Sequence, residues 1–273
     1  MTVSSRKGYD KIRLTDRFRT DELTTFLTFL ETRFTGILSM SIRAQDPFVD
    51  SFATMREDVN AFLPLLKDDK LPLLYGPRLK PCAGAWMAHF TEQMGRAPQD
   101  LILEIGSHYG EVILKMAKDE ADTAFIGMDI TLKRVVKLAQ KAQEFDLKNL
   151  TSILCNAKFL DQLFAPQELD GVLVFFPDPW AKKKRYHKNR LLKPEFLALL
   201  AKKLKPEAYF WFKTDWQPYN EEVLEALKAA NWREIAPSTG LPSKVYVSRF
   251  ERVFKEAGQS TFASVWAPPL QIH

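Results

Sequence analysis

From about residue 95 onward the chain alternates short apolar runs with longer amphipathic stretches, and no other feature constrains its fold as strongly. Leu101–Ile105, Ala124–Met128, Ser152–Cys155, Gly171–Phe176 and Ala208–Phe212 are too short and too uniformly apolar for surface helices and read as buried strands. Helices are expected between them at Glu111–Asp119, Leu132–Phe145, Pro194–Leu204 and Asn220–Ala230, with further strands near Val245–Val247 and Thr261–Val265. Strands that return through a helix run parallel, because a parallel neighbour needs a long crossover. The pattern therefore predicts an α/β protein with a doubly wound, mostly parallel sheet over residues 96–273.

Residues 1–95 follow a different pattern and are expected to form a mainly helical extension. Leu23, Phe26, Leu27 and Leu30 repeat at helical spacing within Asp21–Phe34, and a second helix is expected over Asp50–Leu66. The connection Leu71–Pro81 carries three prolines. This region contains no catalytic motif, and covering the core or gripping a substrate are both open to it. The 46% hydrophobic residues suffice for a sizeable core, yet no run reaches the about 18 apolar residues a membrane span needs. The polar start of the chain lacks the apolar segment of a secretory signal. Two cysteines, Cys82 and Cys155, form neither a disulfide framework nor a metal-ligand spacing, which favours a reducing cytoplasm and a chemistry without metal. A net charge of +5 is compatible with a nucleic-acid partner, and its value as evidence depends on where the cations cluster.

Candidate ligand groups fall at the predicted strand ends. The first strand runs into Glu104-Ile105-Gly106-Ser107-His108-Tyr109-Gly110, a glycine-containing turn before a helix, which lets backbone approach a nucleotide closely. Asp129 lies 19 positions beyond Gly110, about where such a unit brings a carboxylate to ribose hydroxyls, although helix capping is an equally ordinary use of an aspartate. Asn156 ends the third strand, as a ligand or a turn residue. Glu104, Gly106, Asp129 and Asn156 would thus meet in one crevice at the carboxyl edge of the sheet. The turn has no phosphate-gripping lysine, so an adenosine ligand without a pyrophosphate fits it better than a nucleoside triphosphate. S-adenosylmethionine is such a ligand.

The fourth strand leads into Phe175-Phe176-Pro177-Asp178-Pro179-Trp180, followed by six cations and His187 within residues 182–190. Flanking prolines restrict the backbone and hold Asp178 in a stiff loop. A basic run alone is commonly a solvated face. Beside a rigid acid at a ligand crevice, Lys182, Lys184, Arg185, Lys188 and Arg190 are candidates for phosphate contacts, with aromatic and acidic groups addressing a base.

These segments resemble the signature motifs of the bacterial tRNA (guanine-N7-)-methyltransferase family. Gly171–Arg190 is similar to its FPDPW segment and the basic run that follows, Thr214-Asp215-Trp216 with Tyr219 to its TD-x-x-x-Y segment, and Ser248-Arg249-Phe250-Glu251 to its T-K-x-E segment. The resemblance covers roughly residues 98–268 and implies a Rossmann-like class I methyltransferase fold. It assigns Glu104, Asp129, Asn156 and Asp178 to S-adenosylmethionine, with Asp178 as the active-site acid. Lys182, Asp215, Ser248, Arg249, Phe250 and Glu251 fall on its substrate-binding positions, the substrate being the variable-loop guanine 46 of tRNA. The chain departs from the pattern at His108, where the family has glycine, at Asn156 for aspartate, at Ser248-Arg249 for Thr-Lys, and by one extra residue before Arg185.

Guanine N7 carries an exposed lone pair and no proton at neutral pH, so it can attack a sulfonium methyl without an activating base or a metal. Positioning should then dominate, and a buried carboxylate near the ring would stabilise the charge that develops. Asp178 is the candidate for that role or for holding the guanine edge, which Asp215 could also do. Trp180 stacks on a base or packs. Two alternatives are a methyltransferase of the same fold with another substrate, separable by which pool accepts labelled methyl, and a non-catalytic RNA-binding paralogue, separable by calorimetric binding of S-adenosylmethionine.

Overall fold

The computed structural model describes residues 46–56, 58, 60–181, 184–235 and 246–270, all within one compact unit. The helix expected at Asp21–Phe34 lies outside them. Among the described residues eight strands form one sheet: β1 (Leu73–Tyr75), β2 (Asp100–Ile105), β3 (Thr123–Asp129), β4 (Leu150–Leu154), β5 (Leu169–Phe175), β6 (Leu204–Thr214), β7 (Arg233–Glu234) and β8 (Phe262–Ala267), in the order β1-β4-β3-β2-β5-β6-β8-β7. Pairing is parallel from β1 across to β6, and only β8 runs antiparallel, against β6 and β7. Helices are α1 (Trp86–Met94), α2 (Glu111–Asp119), α3 (Leu132–Glu144), α4 (Leu160–Leu163), α5 (Pro194–Lys203), α6 (Gln217–Ala229) and α7 (Arg249–Glu256). This is the doubly wound, Rossmann-like arrangement expected from the alternation.

Both faces of the sheet are covered, which is why the central strands are continuous apolar runs. Leu101, Leu103 and Ile105 of β2 point into one core with Trp86, Phe90, Leu163 and Leu197, while Ile102 points into the other with Val112, Ile113, Met116 and Leu138. In α3, Leu132, Val135, Val136, Ala139 and Ala142 are buried at spacings of three and four, the stripe that seats a helix on a sheet. Side-chain alternation puts Glu104 on the Ile102 face, beneath α2.

Residues 73–94 belong to this unit. β1 extends the sheet beyond β4, and α1 is fixed by the Trp86 indole donating to the Leu163 carbonyl at 2.8 Å and stacking on Phe164. The α-helix expected over Asp50–Leu66 is replaced by turns and a 3-10 segment at Pro64–Lys67. Side chains account for the change: Asp50 and Asn60 accept the backbone N–H groups of Phe52 and Phe62, two residues on, which competes with helical bonding. Near the end of the chain, Tyr246 and Val247 are irregular where a strand is expected, and Val245 lies outside the described residues. Among the described residues no helix is long and apolar enough to cross a membrane.

The chain winds outward from β2 through β3 to β4, then crosses back to β5 and on to β6. Such a reversal leaves a crevice outside the carboxyl ends of β2 and β5.

Candidate active site

The β2–α2 turn forms the floor of this crevice. Gly106 and Ser107 donate their N–H groups to the Met128 carbonyl at 2.8 and 3.0 Å, and Cys155 donates to the Asp129 carbonyl at 3.1 Å, so the ends of β2, β3 and β4 are tied together. Gly110 has φ +73°, which side chains rarely adopt, and a Cβ there would lie 2.2 Å from Leu138 Cδ1, so a larger residue would strain the backbone and displace that leucine. Gly106 is different. It too has positive φ, +76°, but a Cβ would meet nothing within 4 Å, so the turn borders open space.

Asp129 is buried, and its carboxylate shapes the turn: it accepts the N–H of Thr131 at 2.8 Å and of His108 at 3.2 Å, and pairs with Arg134 at 3.3 Å. Asn156 caps the short 3-10 segment after β4 by accepting the Lys158 N–H at 3.0 Å. Asp129 does not cap the following helix, whose N-cap is Thr131, but closes the turn before it, whereas Asn156 is itself a cap. Glu104 is buried, and burial pushes its carboxyl up to about 8, with Asp129 and Glu111 adding to the effect against a bond from Ile113 N–H and the nearby Lys213. Its Oε2, like Ser107 Oγ, is buried with no hydrogen-bond partner among the described residues. A carboxyl oxygen and a hydroxyl left without partners close to the open turn at Gly106 suit a ligand with polar groups of its own, as an aminoacyl nucleoside has.

The raised carboxyl has a consequence for stability. Folded Glu104 keeps its proton up to about 8 while the unfolded group loses it near 4.5, so its contribution is present below the lower value and lost as pH rises towards the upper. Glu104→Gln, which stays neutral, should therefore lose less melting temperature between about pH 6 and 8 than the parent protein, measured by calorimetry without ligand. Parallel curves would show that Glu104 is already ionised at neutral pH.

The loop after β5 is held in an unusual conformation. Phe176 and Trp180, on either side of Pro177-Asp178-Pro179, have φ of +51° and +47°, where bulky side chains are rarely found. Such strain persists only where surroundings enforce it. Here Phe176 N–H bonds to the Lys213 carbonyl at 2.8 Å, Trp180 N–H to Asp178 Oδ1 at 2.9 Å, and the Arg190 guanidinium to the Pro179 carbonyl at 2.8 Å. Two expectations are corrected. Asp178 is exposed, not buried, because it lies in the loop beyond the end of β5 and not within the covered strand. Arg190 is buried, ion-paired with Glu222 and lying over the Tyr219 ring at 5.0 Å, so its charge braces the loop and is not offered to phosphate. Arg185 and Lys188 are exposed, whereas Lys182 and the Lys184 side chain lie outside the described residues.

Asp215 lies half-buried just beyond β6, beside the exposed Trp216. Ser248 is the N-cap of α7, accepting the Glu251 N–H at 3.1 Å. Arg249 is exposed, and its N–H bonds to Glu111 at 2.9 Å. The Phe250 ring packs on His108 and Phe176. Glu251 is buried, its oxygens taken by Lys213 and Lys255, each at 2.8 Å. Lys213 is not among the residues the sequence motifs single out, although a lysine ending the apolar run Ala208–Phe212 is the sort of signal that marks a buried cation; it is buried and also donates to the Tyr246 carbonyl at 2.8 Å. The strand ends thus bring Glu104, Gly106, Asp129, Asn156, Asp178 and Asp215 to one edge of the sheet, and α7 docks beside the β2–α2 turn through Glu111 and His108.

A family model described as "Putative methyltransferase" matches residues 98–264. A tRNA (guanine-N(7)-)-methyltransferase of Paraburkholderia xenovorans is 38% identical over 181 residues, covering 65% of this chain and 68% of that one. One of Streptomyces avermitilis is 39% identical over 140 residues, covering 51% of this chain and 48% of the other. Among solved structures, the 16S rRNA methyltransferase KamB aligns with a TM-score of 0.48 at 17% identity, over 67% of this chain and 94% of its own. On the family match and the extent of the first of these relatives, the chain belongs to the tRNA (guanine-N7-)-methyltransferase family.

Proposed function

We propose that the protein transfers the methyl group of S-adenosylmethionine to N7 of a guanine in tRNA, position 46 of the variable loop by family resemblance. The observation that carries this reading is the juxtaposition, at one switch point of the sheet, of an open glycine turn with unsatisfied buried acceptors and a strained Pro-Asp-Pro loop that leads into exposed cations. S-adenosylmethionine, when bound, supplies a methyl group made electrophilic by its sulfonium. Glu104, Gly106, Asp129 and Asn156 would hold it, through acceptor oxygens and close backbone approach. Asp178, at the mouth, would face the purine and offset the positive charge the ring acquires. Asp215, Arg249 and Phe250 would orient the nucleoside and its backbone, since alignment of N7 with the reacting carbon is the main demand of the reaction. Two buried, free thiols support a reducing, cytoplasmic setting.

Nucleoside analysis of unmodified tRNA after incubation with the purified protein and S-adenosylmethionine should yield 7-methylguanosine. Methyl on another atom or in another substrate pool would overturn the assignment, and tRNA binding without any transfer would point to an RNA-binding paralogue. The exposed cations give a second test. Neutralising Arg185 and Lys188 together should flatten the dependence of log affinity for tRNA on log salt by roughly 1.5, at about 0.7–0.9 per phosphate contact. Binding of S-adenosylmethionine should not change. A slope equal to that of the parent protein would make the run a solvated face.

A further inference from the structure

We propose that His108 is a positioning residue that ties the cofactor turn to the substrate-facing start of α7, so that the two ligands strengthen each other's binding. The inference rests on the function proposed above and deepens it. Where the family has glycine, this chain puts an imidazole on a left-handed backbone, with φ +53°. The ring packs edge-on against Tyr109, with centroids 4.3 Å apart, and against Phe250 of α7 at 5.2 Å. Its own N–H bonds to the Asp129 carboxylate at 3.2 Å. One residue therefore touches both the acid at the end of β3 and the segment that carries Arg249 and Phe250.

The contact continues in both directions. Phe250 also meets Phe176 at 6.4 Å, the strained residue that opens the Pro177-Asp178-Pro179 loop. Beside this line of rings, Glu111 at the start of α2 accepts the Arg249 N–H at 2.9 Å and lies 3.8 Å from the Arg252 guanidinium. Burial together with the nearby cations Arg134, Arg249 and Lys141 pushes His108 down to about 3, so the imidazole is neutral and packs as an apolar ring. A ligand that fixes the turn around Gly106 thereby fixes the seat of Phe250, and a ligand gripping the start of α7 fixes the turn. Ordering done by the first need not be repeated for the second, and the benefit is reciprocal. Glycine at 108 has no ring with which to transmit it.

The test measures coupling directly. S-adenosylhomocysteine is titrated calorimetrically into the full-length protein, with and without an unmodified tRNA transcript. In the parent protein tRNA should tighten the nucleoside by about fivefold or more, the lower end of typical coupling. His108→Gly relieves the left-handed backbone and should fold, with melting temperature as the control. It should bind S-adenosylhomocysteine alone much as the parent does, yet its ratio should fall towards one. Phe250→Ala should lower the ratio similarly, and the double variant should lose no more than either single one, the mark of a shared contact. A parental ratio in His108→Gly, or no coupling in the parent, overturns the proposal. Absence of tRNA binding in the parent overturns the functional reading and this inference together, and binding of the nucleoside alone identifies that case.

Discussion

Glu251→Ala is expected to lower the melting temperature by on the order of 10 °C, a larger effect than removal of a substrate contact would produce. Glu251 and Lys213 are 7% and 3% exposed, and their side chains meet at 2.8 Å. The ammonium lies over the rings of Trp211 and Phe175, at 4.6 and 4.9 Å, and its other bond is to the Tyr246 carbonyl. Burial pushes Lys213 down while Glu251 holds it up, so deleting the carboxylate strands a cation where water cannot reach it. Breaking a buried pair from one side typically costs about 3–5 kcal/mol, and each kilocalorie shifts the transition by roughly 2–4 °C in a unit of this size. Lys255 also loses a partner, but it is mostly in water and contributes little. Lys213→Met combined with Glu251→Leu should restore most of the stability, because an apolar pair of similar volume removes the stranded charge. Scanning calorimetry of the single and the double variant beside the parent protein decides the matter. An unshifted transition in Glu251→Ala, with weakened tRNA binding, would return Glu251 to direct substrate contact.

The burial of Lys213 is not legible in the sequence, and the reason is physical. The central strands are legible because both of their faces are covered, so Leu101–Ile105 and Ala124–Met128 appear as apolar runs with acids at their carboxyl ends. Strand-end geometry then places Glu104, Asp129 and Asn156 with no further information. What periodicity does not carry is the destination of a long side chain. Lys213 and Arg190 are cations in chemically similar contexts to exposed ones, yet both are buried against partners far along the chain, Glu251 and Glu222. Short elements are hidden for another reason. β1 is three residues wedged between Pro72 and Gly76, and it exists because β4 offers an open edge. The stretch before it carries apolar residues at helix-like spacing, but Asp46, Asp50, Asn60 and Asp68 each accept a backbone N–H two residues ahead, and this local bonding overrides the pattern.

Asp178→Asn is expected to slow methyl transfer by more than about tenfold, over 1.4 kcal/mol of barrier, with little change in the binding of S-adenosylmethionine or tRNA. The substitution leaves the loop intact: asparagine keeps an oxygen for the Trp180 N–H, now 2.9 Å from Asp178 Oδ1, and the flanking prolines and the Arg190 brace on Pro179 are untouched. Only the negative charge is lost. In the unliganded protein that charge is exposed, and water screens it. Docking of a nucleoside over the loop, as proposed, would displace that water, so the carboxylate would exert its full effect only once the purine is seated and acquiring positive charge. An interaction that grows along the reaction lowers the barrier without tightening the ground state, and its removal must appear in kcat and not in affinity. Asp178→Ala should be slower still, because the Trp180 N–H then loses its acceptor and the strained backbone at Trp180 loses a restraint. Single-turnover rates on unmodified tRNA, with melting temperature as the folding control, distinguish the charge from the turn. A rate for Asp178→Asn close to that of the parent protein, alongside a slow Asp178→Ala, would reduce Asp178 to a turn residue and make Asp215, half-buried at the end of the next strand, the acid to test.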